Sequence, residues 1–289
     1  MLGEIPQLLV NGIVAGTVLA VPAIGFTAIY AVLRFPNFTV AAHATIGAFA
    51  GYVANTAGGW PAAAAVLAAF LVAGVMGVLN DELVLKPLRP AGALTTAIAA
   101  IALTIVLENV VRFVFGNDLR GYDLPIRRDW QFVGGIRIGP QQVENLAMAV
   151  VAMAALFLFL AFTRTGKAMR AVADNPTLAG IKGIDANRVA RLVNFVGMGL
   201  AGVGGMLLGL DTSIDPLTGF RVILSVFAAA VVGGLGSIPG AVVGALTIGV
   251  GEELSLLVLA PSYRTAVGFV AILVVLTLRP RGILGERAY

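Results

Sequence analysis

Residues 8–33, LLVNGIVAGTVLAVPAIGFTAIYAVL, contain no Asp, Glu, Lys or Arg. A helix needs about 20 predominantly apolar residues to cross the hydrocarbon core of a membrane, and this stretch exceeds that length. It therefore predicts a transmembrane helix, surrounded by lipid or by other apolar helices.

The composition extends this interpretation to the whole chain. Hydrophobic residues make up 59% of the 289 residues and charged residues only 12%, whereas soluble domains carry about 25% charged residues. No polar stretch is long enough to fold separately, so we expect a single membrane domain over residues 1–289. The 36 glycines agree with this, because helices in lipid associate through close backbone approach at small residues. The absence of cysteine excludes disulfides and thiolate metal sites.

Further apolar runs follow along the chain, separated by charges and turn residues. The run at 222–251 is divided by a Gly-Pro break at 233–240, and the short run at 265–278 is flanked by Arg264 and Arg279, which can reach the two membrane interfaces. The sequence predicts an all-α, polytopic transmembrane helical bundle of about nine spans, with eight possible. The runs are 8–33, 38–57, 61–80, 91–115, 145–163, 192–210, the two halves of 222–251, and 265–278.

The distribution of Lys and Arg predicts the orientation, because basic short loops stay in the cytoplasm. Twelve of the nineteen basic residues fall on one side when Arg34, residues 86–89, the loop at 164–191 and the C-terminal tail share it. Nine spans then place the N-terminus outside and the C-terminus inside. Eight spans would move Arg279, Arg281 and Arg287 outside, against this rule. The net charge is +4, but the basic residues form no patch interleaved with aromatic residues, so nucleic acid is not an expected partner.

The polar loop at 164–191 contains a pattern typical of a short helix. Asn175 offers a side-chain cap, Pro176 is preset to helical φ, and Gly180 or Gly183 offers a stop. Leu178, Ala179 and Ile181 are expected to form one small apolar face on this helix. From the residues alone, it is equally well a docking element for a partner or a surface helix that connects two spans.

Four blocks of sequence, in order, resemble one family. They are NGIVAGTVLAVPAIGFTAIYAVLRFPNF at 11–38, RTGKAMRAVADNPTLAGIKGIDANRV at 164–189, GGLGSIPGAVVGALTIGVGEE at 233–253 and LRPRGILG at 278–285. With these blocks the chain is similar to permease subunits of branched-chain amino-acid ABC importers, the leucine/isoleucine/valine type. The resemblance runs nearly from end to end.

The resemblance implies that a coupling helix at 174–183 docks on a separate ATPase. The residues expected to make this contact are Asp174, Asn175, Pro176, Leu178, Ala179, Gly180 and Gly183. It also implies the partners: two ABC ATPase subunits, a second and homologous permease, a periplasmic solute-binding protein, and membrane lipid. The chain has no Walker A motif, so ATP and Mg are expected to be used by the partner ATPases, and we expect no cofactor, metal or catalytic residue here. The expected location is a bacterial cytoplasmic (inner) membrane.

The break at 233–240 leaves three interpretations open. It is a tight turn at the cytoplasmic surface, which the nine-span topology favours, or a broken helix that lines a wet path, or, as a weaker reading, a phosphate cradle. The second interpretation makes Gly236, Ser237 and Pro239 candidates for the translocation path.

Ionisable residues inside spans are costly and usually face a cavity or each other. Glu108 is the best candidate for the interior, and Glu252 and Glu253 are expected near an outer end in contact with solvent. A lone histidine on an apolar helix is more often hydrogen-bonded packing than a ligand, which is our expectation for His43. The full set of path candidates is Asn37, Thr39, His43, Glu108, Asn109, Gly236, Ser237 and Pro239.

The chain departs from the family just after Phe38. These permeases commonly continue with Ala-His-Gly-Glu, whereas this sequence has Thr39-Val-Ala-Ala42, so His43 is not the family histidine. This loss of polar groups leaves open a solute other than a branched-chain amino acid, such as another amino acid, an amide or an organic acid.

Three functions are compatible with such a chain. The first is a non-catalytic permease subunit of an ATP-driven importer. The second is an ion-coupled secondary transporter of small organic solutes, which would need well-placed intramembrane charges. The third, an intramembrane enzyme, would need a nucleophile with a base or a metal set, and one His with no Cys argues against it.

Overall fold

The computed structural model describes residues 5–125, 128–131, 137–279 and 281–285. They form a bundle of α-helices and one antiparallel pair of two-residue strands, in which Trp130 faces Ile138. Every apolar run marked by the sequence contains a helix, so the predicted all-α bundle is confirmed. The elements are α1 Ile5–Leu33, α2 Val40–Thr56, α3 Ala62–Asn80, α4 Lys86–Leu88, α5 Ala93–Phe115, β1 Trp130–Gln131, β2 Arg137–Ile138, α6 Pro140–Phe162, α7 Arg164–Asp174, α8 Pro176–Ile181, α9 Ala186–Asp211, α10 Thr218–Gly233, α11 Ile238–Ser255 and α12 Ala266–Leu278.

Five helical stretches of the described chain are long and apolar enough to cross a membrane. Helix α3 is one of them, because it continues through a π-helical segment, Asp81–Leu85, as far as Ala91. The shorter apolar helices include α10 and α12. The five long stretches are Ile5–Leu33, Ala62–Ala91, Ala93–Phe115, Pro140–Phe162 and Ala186–Asp211.

The centre of the bundle is made by α1, α2, α9 and α11, which approach one another through glycine. A Cβ atom on Gly47 of α2 would lie 2.1 Å from the Cα of Gly202 on α9, and one on Gly25 of α1 would lie 2.4 Å from the carbonyl oxygen of Gly197. These separations leave no room for any side chain. The glycine-rich composition therefore produces the close helix packing that the sequence predicts.

Between α1 and α2 the chain turns back into the bundle. Arg34 has φ +59°, in the left-handed region, and residues 35–39 then run inward. The ring of Phe38 lies 6.5 Å from Phe26 and 5.7 Å from Phe227, both inside the bundle. Helix α2 therefore begins inside the bundle at Val40, two residues after the start of the run at 38–57 that the sequence predicts as a span. We call residues 34–39 the return segment.

The two ends of the bundle are defined by their contacts. At the α8 end, the guanidinium of Arg34 donates to the carbonyl of Ala173 in α7, and the backbone N–H of Ile283 and of Leu284 donates to the last turn of α10. At the far end, Arg120 and Ile214 exchange backbone hydrogen bonds of 2.9 and 2.8 Å. The Tyr122 hydroxyl there donates to the carbonyl of Ala48 at 2.7 Å, and burial raises its pKa, so it stays a protonated donor.

The contact between Gly47 and Gly202 gives a test of the packing. Replacing Gly47→Val should separate α2 from α9 and lower the thermal unfolding midpoint in detergent, or prevent folding, because overpacking costs about 1–3 kcal/mol or more. The control is Gly121→Ala, where an added Cβ meets nothing within 4 Å. Equal midpoints for both variants would show that α2 and α9 are not packed this closely.

Candidate functional site

Helix α8 is a short helix with a defined start and stop. The Asn175 side chain accepts a hydrogen bond from the backbone N–H of Leu178 at 2.9 Å, and Pro176 occupies the first turn. The helix ends at Ile181, and Gly183 follows with φ +82°, a left-handed conformation that favours glycine. The predicted helix start at Asn175-Pro176 is confirmed, and of the two possible stops the structure uses Gly183.

The apolar residues of α8 do not share one face, so that prediction is wrong. Leu178 and Ile181 are exposed, at 53% and 77%, whereas Ala179 is buried at 4% against the bundle. The reason is the helical repeat, because positions separated by three residues align while adjacent positions diverge. Ala179 therefore holds α8 on the bundle, and Leu178 with Ile181 forms the exposed apolar face.

The remaining predicted docking residues are accessible. Gly180 is exposed, and an added Cβ there would meet nothing within 4 Å. The exposed predicted residues are Asp174, Asn175, Pro176, Leu178, Gly180 and Gly183. This surface is polar around a small apolar centre.

A buried polar cluster joins the return segment to α2 and α3. The Asn37 side-chain oxygen accepts from the Thr39 hydroxyl at 2.7 Å, and His43 Nδ1 lies 2.7 Å from the Thr39 carbonyl oxygen. Since a carbonyl only accepts, Nδ1 carries the proton, and Nε2 accepts from the amide of Asn80 at 3.2 Å. His43 is fully buried, so the prediction of hydrogen-bonded packing is confirmed. We call Asn37, Thr39, His43 and Asn80 the polar cluster.

The polar cluster retains unused hydrogen-bonding capacity. The side-chain amide nitrogen of Asn37 is buried and has no hydrogen-bond partner among the described residues. On the neighbouring α5, the hydroxyl of Thr104 lies 3.2 Å from the Phe38 carbonyl, and Glu108, one turn further along, is buried with one carboxylate oxygen unpartnered within the described chain. Buried polar atoms without partners are rare and mark places where water or a solute can bind.

Thr104 is a residue that sequence reasoning missed. Its spacing of four from Glu108 puts both on one face of α5, and this spacing was the available signal. Asn109 instead lies on the outer face of α5, where its amide bonds the Ile105 carbonyl of its own helix at 2.8 Å. The structure therefore places Asn37 and Thr39 on either side of Phe38, whose carbonyl contacts Thr104 of α5, and turns Asn109 away from them. His43 instead contacts Asn80 of α3.

The break at 233–240 is a turn at the α8 end. Gly234 and Gly236 have φ +110° and +93°, and a Cβ on Gly233 would lie 2.1 Å from the Gly240 carbonyl oxygen. Residues 283 and 284 pair with the end of α10 and cover the turn. Gly236, Ser237 and Pro239 face a cavity of about 480 Å³ that α1, α6 and α7 also line, away from the polar cluster.

Glu252 and Glu253 are buried and paired, so the expectation that they contact solvent is wrong. Glu252 accepts from the Ser225 hydroxyl at 2.6 Å, and Arg264 lies 3.5 Å from Glu252 and 2.7 Å from Glu253. Because α11 and α12 are linked by a short connection, Arg264 folds back over both carboxylates. This group borders a far-end cavity of about 420 Å³ that Asp211 also lines.

A charge group at the α8 end links three segments. Glu82 bonds Lys86 and Arg191, each at 2.7 Å, and Asp81 pairs with Arg89. Glu82 and Lys86 are four residues apart, so their pair is local in the sequence. Arg191 adds a connection to α9 that local sequence could not indicate.

The comparisons with known proteins agree with this architecture. The family model for the permease component of the branched-chain amino acid transport system matches residues 8–277. The high-affinity branched-chain amino acid transport system permease LivH of Escherichia coli K12 is 33% identical, covering 97% of this chain and 95% of its own length. The corresponding permease BraD of Pseudomonas aeruginosa is 32% identical with the same coverage.

Two further similarities are more distant. The fructose import permease FrcC of Rhizobium meliloti is 28% identical over 66% of this chain and 55% of its own length. Among solved structures, PsaBC from Streptococcus pneumoniae in complex with Fab matches with a TM-score of 0.52 and 16% identity, covering 97% of each chain, which supports the fold.

The protein is therefore a multi-pass membrane protein of the ABC-transporter permease class. It belongs to the branched-chain amino acid transport permease family.

The hydrogen bonds of His43 give a second test. His43→Leu should lower the unfolding midpoint in detergent, because it leaves the partly buried Asn80 amide without its histidine partner and the Thr39 carbonyl with only its backbone hydrogen bond from residue 43, where an unsatisfied buried group costs about 1–3 kcal/mol. His43→Gln retains a donor and an acceptor and should recover part of the loss. If the His43→Leu variant unfolds at the same midpoint as the wild-type protein, the assigned hydrogen bonds are wrong.

Proposed function

We propose that this chain is the non-catalytic permease subunit of an ATP-driven importer, and that α8 docks on a separate ATPase. The observation that carries the proposal is the exposed pair Leu178 and Ile181 on a capped helix at one end of an apolar bundle. An apolar pair surrounded by polar residues at a surface is typical of a small docking contact. Family membership supports the same role.

Alternating helix directions support nine crossings of a bacterial cytoplasmic membrane. Helix α1 runs from the far end to the α8 end, and each later membrane helix reverses the one before it, with α2 starting from the return segment. The α8 end also carries basic residues of loop 164–191, which favours a cytoplasmic location for that end. The N-terminus is then outside and the C-terminus inside.

The other proposed partners are two ATPases, a second permease and a periplasmic binding protein. Closing an ATPase dimer can move whole helices only through a docked, rigid element, which two ATPases and two coupling helices would provide. Helix α5 packs mainly on α2 and the turn before it, and its broad exposed apolar face suits a second, homologous permease or lipid. A periplasmic binding protein would deliver solute at the far end, and ATP and Mg would be used by the ATPases.

The path is proposed to pass the face where α2 and α5 meet. Asn37, Thr39, His43 and Glu108 supply its polar groups, and the free amide of Asn37 supports this. Amino acids of branched-chain type remain the first candidate solutes. The relatives LivH and FrcC are named for the transport of branched-chain amino acids and of fructose, so similar chains differ in solute, and the apolar Val40–Ala42 stretch suits a weakly polar one.

The alternative is an ion-coupled transporter, and the charges support it less well. Glu252 and Glu253 share an ion pair with Arg264, whereas Glu108 is the buried carboxylate of the described chain without an ion pair of its own. Proteoliposomes separate the two functions. Uptake that requires the ATPases and ATP, with no ion gradient, is the expected result, whereas uptake by this chain alone on an ion gradient would establish the alternative.

The orientation can be measured directly because the chain has no cysteine. Gly121→Cys at the far end should react with a membrane-impermeant maleimide in intact cells, and Gly180→Cys should react only after the cells are opened. Both positions have open space around an added Cβ. Labelling of the Gly180→Cys variant in intact cells would reverse the proposed topology.

The docking helix is tested by Gly180→Arg. The added side chain has space on the permease but would meet the ATPase, so co-purification of the ATPase should fall about tenfold or more, as for an unpaired charge in a contact. Gly121→Arg adds the same side chain at the far end and should leave ATPase binding unchanged. Full binding and coupled transport by Gly180→Arg would remove α8 from the interface.

A further inference from the structure

Loop 164–191 is tied to the bundle on both sides of α8. Before α8, the Arg34 guanidinium donates to the carbonyl of Ala173 in the last turn of α7. After α8, Arg191 in α9 lies 2.7 Å from Glu82 at the end of α3. These two contacts therefore join the helices on either side of α8, α7 and α9, to the return segment and to the segment that follows α3.

We call the Arg34–Ala173 contact the first tie and the Glu82–Arg191 contact the second tie. The first tie is made by the first residue of the return segment. Arg34 is the only non-glycine residue of the described chain with a positive φ, so its backbone makes the reversal while its side chain reaches α7. Carbonyls in the last turn of a helix lack intrahelical donors, and an arginine at that end is favourable. Three residues after Arg34, Asn37 begins the polar cluster.

The second tie lies close to the polar cluster on the side of α3. Glu82 follows Asn80 by two residues, and the Asn80 amide donates to His43. The segment that holds Glu82 is π-helical, a wider turn that is often found at functional sites and is less regular than an α-helix. A displacement of Glu82 is therefore transmitted to His43 through the short stretch of chain from Asn80 to Glu82.

We infer that Arg34 and the Glu82–Arg191 pair are positioning residues that transmit movement of α8 to the polar cluster of Asn37, Thr39, His43 and Asn80. The two ties connect the parts of loop 164–191 on either side of α8 to the two segments that hold the cluster. The inference rests on the proposed function, in which an ATPase moves α8. It assigns the mechanical connection to named side chains.

Stability and coupling respond differently to these residues. Arg34 and Arg191 are exposed, and exposed ion pairs and arginine contacts contribute little to folding. Their loss should therefore leave an intact complex that still hydrolyses ATP. What should fall is the amount of solute moved for each ATP.

The experiment uses the complete complex of permeases, ATPases and binding protein in proteoliposomes. Arg34→Asn keeps a residue that tolerates the left-handed turn and removes the guanidinium, and Arg191→Gln and Glu82→Gln each break the second tie. The amount of solute moved per ATP should fall about fivefold or more in each variant, because coupling between two sites typically changes an equilibrium by at least about fivefold. Co-purification of the ATPase should be unchanged.

A double-mutant cycle distinguishes the loss of one specific contact from a general loss of coupling in the complex. Glu82→Gln with Arg191→Gln should be no worse than either single change, since both act on one contact, whereas Arg34→Asn with Arg191→Gln should be worse than either. The control is Arg188→Gln, in which the lost side chain is 81% exposed and pairs with Asp185 of the same loop. It should couple like the wild type.

The outcomes separate this inference from the function on which it rests. If the wild-type complex shows no ATP-driven uptake, the proposed function fails and this inference fails with it. If the wild type couples and the three single variants couple equally well, only the ties are wrong. If Arg34→Asn does not assemble, the Glu82–Arg191 cycle still decides the second tie independently.

Discussion

The close contact of helix backbones at glycine is the constraint on which the rest of the bundle depends. Lipid gives apolar helices little reason to associate, so packing must come from surfaces that fit without side chains. Gly47 against Gly202 and Gly25 against Gly197 place α1, α2 and α9 at their closest approach. With α1 and α9 held in this way, α2 can begin inside the bundle, where its first residues are enclosed by protein.

That enclosure makes the return segment possible. Non-helical backbone is tolerated at membrane depth only where it is buried in protein or lines a wet cavity, because its polar groups find no partners in lipid. Asn37 and Thr39 satisfy part of this requirement from within the segment, and Thr104 of α5 approaches the Phe38 carbonyl. The same side chains that stabilise the irregular backbone form the polar surface of the proposed path.

Sequence reasoning predicted the helices and the start of α8 because both depend on local pattern. Long apolar runs identify buried helices, and Asn175 followed by Pro176 defines a helix start within a few residues. It failed where the outcome depends on distant contacts. The pairing of Glu252 and Glu253 with Arg264 requires knowing how α12 folds back, and the inward start of α2 requires knowing that α1 and α10 supply the rings that contact Phe38.

The positions of the salt bridges bear on how such a protein can work. Salt bridges gather at the two ends, with Glu82 and Arg191 near α8 and Glu253 and Arg264 at the far end, while the polar cluster between them is neutral. A neutral histidine held by a carbonyl and an amide has little capacity to bind and release an ion as a driving step. In the proposed function the free energy for transport enters at the α8 end as mechanical displacement, and the contact that joins α7 to the return segment lies where such a displacement would arrive.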